Sequence, residues 1–132
     1  MQHYYWFIFL VAMNGILLLF LTINVSRLRI KFQISWGDGG HRALSRAIRT
    51  HANATEQVPI YALIILALCI LHTSELLLAL LVVIFTFARI LHAYGMLAQE
   101  ATMRKVGAAF TYFLQCIAVI TLLVNFFLPY WL

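Results

Sequence analysis

The chain has 132 residues, of which 64% are hydrophobic and 10% charged, with a net charge of +5. Soluble domains are closer to half apolar and a quarter charged, so a mean hydropathy of +0.95 excludes an ordinary water-soluble fold. Residues 3–26, 57–74 and 106–132 hold no Asp, Glu, Lys or Arg, and 76–99 hold only Arg89; at about 20 apolar residues per crossing, this predicts an all-α membrane protein, a four-transmembrane-helix bundle forming a single domain over 1–132.

Span 1 is predicted over about 4–26. It lacks a basic leading region and exceeds the roughly 7–15 apolar residues of a cleavable signal. Asn14 and Gly15 within it are expected to let it hydrogen-bond to and pack closely on another helix. The basic run Arg27, Arg29, Lys31 follows, then a turn at Gly37-Asp38-Gly39-Gly40, where glycine permits positive φ. Span 2 is predicted over about 42–71. At 1.5 Å per residue it is roughly 45 Å long, more than the about 30 Å hydrocarbon core, so its basic first half is expected to project, and Pro59 to kink it. His72-Thr73-Ser74 reads as a tight hairpin with Ser74 capping span 3, about 75–98. Span 4 covers about 103–128, with Pro129-Tyr130-Trp131 as an interfacial anchor. The sequence shows no usable internal repeat.

All 9 Lys and Arg fall in or beside the 1–2 and 3–4 connections. The positive-inside rule makes those loops cytoplasmic and puts both termini on the non-cytoplasmic side. The positive charge therefore reports orientation and acidic ligands or lipids, and nucleic acid is not expected as a partner. Cys69 and Cys116 lie in apolar runs and read as core or lipid-facing residues; two isolated cysteines predict no metal site.

Span 2 carries Arg42, Arg46, Arg49, Asn53 and Glu56. At 100° per residue all five fall within one stripe roughly 80° wide. Within lipid such groups must face a partner helix or a watery cavity. An antiparallel hairpin about Thr73 brings Glu56 level with Ile90 and Asn53 level with Ala93, so Arg89 and His92 of span 3 meet them at similar depth. Arg104 and Lys105 overlook the same region. The simplest reading is a structural Glu56–Arg89 ion pair with the other arginines snorkelling to headgroups. That leaves Arg49, Asn53 and His92 unused. The alternative is a pocket for a small anionic ligand, since arginine grips carboxylates bidentately and a lone Glu can accept an ammonium. His51 points about 160° away from Asn53 and reads as inter-helix packing, while His3, His41 and His72 lie at span ends.

The string Arg46-Ala-Ile-Arg49-Thr-His51-Ala-Asn53-Ala-Thr-Glu56-Gln-Val-Pro59 resembles the MAPEG family, membrane-associated proteins in eicosanoid and glutathione metabolism. Arg89-Ile-Leu-His92-Ala-Tyr94-Gly95 and Arg104-Lys105-Val-Gly107 are further matches. With Gly37-Asp38-Gly39-Gly40 the pattern is similar to the family's small bacterial branch, close to microsomal glutathione transferases. The resemblance implies a homotrimer of four-helix subunits in the bacterial inner membrane, or the endoplasmic reticulum in a eukaryote, with glutathione bound near the cytoplasmic side between subunits. Carried over to this sequence, it makes Arg49, Asn53 and Glu56 glutathione ligands, with Arg46, Arg89 and His92 beside them. Arg27 or Arg29 reaches a carboxylate. Arg104, or its neighbour Lys105, stabilises the thiolate. Met96 stands where some members have a second Tyr.

The resemblance implies a glutathione-dependent transferase or peroxidase acting on an apolar electrophile or lipid hydroperoxide that arrives from the bilayer. Lowering a thiol pKa from near 8.5 by about two units takes roughly 2.7 kcal/mol of preferential thiolate stabilisation, within reach of one arginine in a poorly hydrated site. Two other classes remain. A non-catalytic lipid-binding or scaffolding protein of this fold would not need the glutathione string. A small four-helix drug transporter would need an acid in span 1, and residues 1–26 have none.

Overall fold

The computed structural model describes residues 4–128, which form four helices: α1 (Tyr5–Phe32), α2 (Arg42–Ile70), α3 (Glu75–Leu97) and α4 (Ala101–Phe127). Each is long and apolar enough to cross a membrane. The all-helical class and the number of membrane-length helices are as predicted. The anchor expected at Pro129-Tyr130-Trp131, like His3, lies outside the described residues.

α1 continues past Ser26 to Phe32, because Arg29 and Lys31 in its last turn complement the carbonyl end of the helix dipole. It stops at Gln33, which turns left-handed at φ 54°. α2 runs unbroken across Pro59, although the ring removes the N–H that would bond to the carbonyl of Thr55. The hairpin into α3 is the expected one. The His72 and Thr73 N–H groups donate to the carbonyls of Cys69 and Leu68, both at 3.1 Å, and Ser74 Oγ accepts from the Leu77 N–H.

α3 is the hub, packing on α1, α2 and, most extensively, α4. The core lies in the half of the bundle nearer the α2–α3 hairpin. There Tyr61 and Phe85 stack with ring centres 3.6 Å apart, and Tyr61 Oη donates to the Leu81 carbonyl at 3.0 Å. Ile65, Leu68, Leu78, Leu81, Val82 and Leu114 fill in around them. The α3–α4 contact is close at two glycines. A Cβ on Gly107 would stand 2.6 Å from the backbone N of His92, and one on Gly95 2.8 Å from Cα of Arg104.

α1 is the least embedded helix, burying only Leu10, Asn14 and Leu21. As expected, Asn14 bonds between helices: its Nδ2 donates to Thr86 Oγ1 of α3 at 3.2 Å. Close packing expected at Gly15 is not found within one chain, since nothing lies within 4 Å of a Cβ built there. His51 packs between helices as predicted, 3.0 Å from Thr22 Oγ1 of α1.

Candidate functional site

The polar stripe of α2 sits at the margin of that helix's buried face. The buried positions Thr50, Ala54, Tyr61 and Ile65 centre about 70–90° round the helix from Arg46. Asn53 and Arg46 form the inner edge of the stripe and are half-buried. Arg49 and Glu56 form its outer edge and are exposed. The stripe therefore faces sideways along the bundle.

Two adjoining cavities open on this margin and share Met96 as a common wall. The one of about 210 Å³ is lined by Arg49, Ala52, Asn53, Glu56, His92 and Met96. The other, about 360 Å³, is lined by Arg46, Gly95, Met96, Gln99, Ala101 and Arg104. Six of the eight candidate site residues thus border one continuous depression between α2, α3 and the start of α4. The side chains of Arg46, Arg49, Glu56 and Arg104 make no hydrogen bond or ion pair among the described residues.

Arg89 lies behind this depression, 1% exposed. The simple Glu56–Arg89 pair is not what forms. Arg89 Nη2 donates to Asn53 Oδ1 at 2.7 Å, while its Nε has no partner. The angular positions explain the difference, because Asn53 stands about 60° nearer the buried face of α2 than Glu56 does. With its oxygen taken by Arg89, the Asn53 amide has its Nδ2 donor left over.

His92 is held from the other side. Its Nδ1 is 3.0 Å from the backbone carbonyl of Arg104, and its Nε2 is buried without a partner. The contact follows from Gly95 and Gly107, which let the start of α4 come up against the last turns of α3.

Arg29 is placed elsewhere. Its Nη1 donates to the Gly37 carbonyl at 2.8 Å, and to those of Ile34 and Ser35 at 3.4 Å, stapling the α1–α2 loop. Asp38 in that loop accepts from the Gly40 N–H at 3.0 Å. That bond, followed by one from the Ser45 side chain, holds the Asp38 carboxyl below its ordinary value of 3.8. His41 stacks on Phe32 with centres 4.1 Å apart. Residue types carry no signal of this staple, because all three acceptors are backbone carbonyls.

A third cavity of about 510 Å³, lined by Gln57, Tyr112, Gln115, Cys116, Val119 and Ile120, lies between the middles of α2 and α4 on an apolar exterior face. Cys116 is exposed and Cys69 buried, both as free thiols. Among the described residues no group of His, Cys, Asp and Glu is placed to hold a metal ion.

Residues 7–130 match the model of the MAPEG family. The chain is also similar to proteins named "Inner membrane protein YecN" from Escherichia coli strain K12 and from E. coli O6:H1 strain CFT073. Each is 27% identical over 120 residues, covering 91% of this chain and 89% of the relative.

Proposed function

Since the chain belongs to the MAPEG family and is an integral inner-membrane protein, we propose that it is a glutathione-dependent transferase or peroxidase. The observation that carries this reading is the depression bordered by Arg46, Arg49, Asn53, Glu56, His92 and Arg104. Glutathione has two carboxylates, one ammonium and one thiol. The unpaired arginines suit the carboxylates, Glu56 suits the ammonium, and the spare Asn53 donor suits a carbonyl or carboxylate oxygen. Arg104 stabilises the thiolate, which attacks an apolar electrophile or lipid hydroperoxide. That co-substrate enters from the bilayer, and the apolar cavity between Gln57 of α2 and the middle of α4 offers it a place.

The assembly proposed is a homotrimer, with the 1–2 and 3–4 loops cytoplasmic and both termini outside. Arg49 and Glu56 are exposed on the single chain, and a carboxylate as far into a membrane-crossing helix as Glu56 is expensive unless covered. A neighbouring subunit supplies the cover and closes the site. Arg29 then acts across that boundary, through the loop it holds.

The test is calorimetric titration of the detergent-purified protein with glutathione, against the Arg49→Ala/Glu56→Ala double variant. Saturable binding that the variant loses supports the reading. Absence of binding at millimolar glutathione overturns it in favour of a lipid-binding or scaffolding role.

A further inference from the structure

We infer that His92 is the base that takes the thiol proton in this site, with Nε2 as the accepting atom; the inference rests on the glutathione reading above. A carbonyl oxygen only accepts, so the 3.0 Å contact between Nδ1 and the Arg104 carbonyl requires the proton to be on Nδ1. The neutral ring then has its lone pair on Nε2. That atom is buried and without a partner, on a side chain 6% exposed that lines the cavity shared with Asn53 and Glu56. A buried nitrogen lone pair with nothing to accept from is costly. A thiol donor delivered by a ligand satisfies it.

One hydrogen bond also ties the base to the proposed thiolate ligand. The carbonyl that sets the ring's tautomer belongs to Arg104 itself, and Gly107 brings α4 against the His92 backbone. The ring lines one of the two adjoining cavities and Arg104 the other, with Met96 as their common wall, so the ring is tied to the backbone of the residue proposed to hold the thiolate. In the step, the S–H bond breaks, its electron pair stays on sulfur beside Arg104, and the proton forms an N–H bond at Nε2. With an aryl chloride the C–S bond forms as C–Cl breaks, chloride leaves, and the imidazolium gives its proton to solvent. With a hydroperoxide, the S–O bond forms as O–O breaks, and the released alkoxide takes the proton to become an alcohol.

The charged groups facing His92 are Arg49 and Glu56 from α2, Arg104 from α4 and Arg89 on its own helix; α1 brings none to the cavity. The three arginines oppose an imidazolium, whereas Glu56 and the new thiolate favour it. The proton thus moves to His92 only when the thiol is bound.

The experiment counts protons. Glutathione binding to the full-length protein near neutral pH is titrated calorimetrically in buffers of different protonation enthalpy, and thiolate formation is followed by its ultraviolet absorbance. The expected wild-type result is a thiolate signal with almost no proton released to buffer. His92→Asn places its amide Nδ2 near the position of the ring Nδ1 and so keeps a donor for the Arg104 carbonyl. It is expected to bind glutathione within a few-fold of wild type, to lose the signal or release one proton per thiolate, and to lose about a hundredfold in kcat/KM with chlorodinitrobenzene. Release of a full proton by wild type, a measurement independent of any variant's folding, overturns the assignment while leaving the glutathione reading intact. A His92→Asn protein that keeps the signal without release also overturns it. No binding to wild type overturns both.

Discussion

Asn53 has two jobs that a single substitution can separate. Its oxygen is the hydrogen-bond partner of the buried Arg89 guanidinium among the described residues, and its Nδ2 is left for ligand. Asn53→Ala removes that hydrogen bond from a buried charge, at a cost of about 1.5–3 kcal/mol. Asn53→Asp still accepts from Arg89 but presents an anionic oxygen where a donor stood. Thermal unfolding in detergent should therefore show the Ala variant several degrees below wild type and the Asp variant at or above it, while both lose glutathione affinity. Equal destabilisation by the two would show that Arg89 does not depend on that oxygen. Asp38 makes a smaller claim on a fully exposed loop. Its carboxyl is held low by the Gly40 N–H first and the Ser45 side chain second, so the charged form is favoured by the fold. The stabilisation is complete above the ordinary carboxylate value and disappears as pH falls through the lower folded value. Amide exchange at Gly40, corrected for its intrinsic pH dependence, should lose protection as the solution is acidified below the ordinary value of 3.8. Asp38→Asn should remove that pH dependence.

The contact between α3 and α4 is where element packing governs chemistry. A methyl at Gly107 meets backbone atoms of His92 and Ala88 at 2.6–2.8 Å, and backbone cannot swing aside as a flexible side-chain end can. Gly107→Ala should cost about 1–3 kcal/mol as overpacking and lengthen the His92–Arg104 bond. The check is unfolding together with the thiolate signal: a stable variant with an unchanged signal would show that this packing does not position the site. The helices themselves were legible in the sequence, because charge-free runs of membrane length admit few other structures. The depression was also legible as a set of residues, since motif order and an antiparallel hairpin bring Asn53, Glu56 and His92 to one depth. The choice of Asn53 over Glu56 as the partner of Arg89 was not. It depends on which edge of the α2 stripe turns inward, which the stripe alone leaves open until the buried face of α2 is known. The Arg29 staple was hidden for a different reason: its carbonyl acceptors leave no mark in residue type.

At the scale of the whole molecule, Arg49 and Glu56 form the outer edge of a polar stripe and are exposed among the described residues. The expected outcome of native mass spectrometry from mild detergent is a stoichiometry of three, with dissociated subunits losing glutathione binding. A monomer that binds with full affinity would contradict the shared site. α1 adds a matter of timing. Among the described residues, its side-chain hydrogen bond to α3 runs from Asn14 to Thr86, 72 residues later in the chain. A ribosome makes α1 long before Thr86 exists. During that interval the helix has α2 to pack on, with Thr22 Oγ1 beside His51, and the Asn14 amide donates within its own helix to the Leu10 carbonyl. Arrival of α3 adds the second anchor. Nascent chains arrested before Thr86 should therefore hold α1 against α2 alone, and those arrested after α3 has emerged should also allow a cysteine cross-link between α1 and α3.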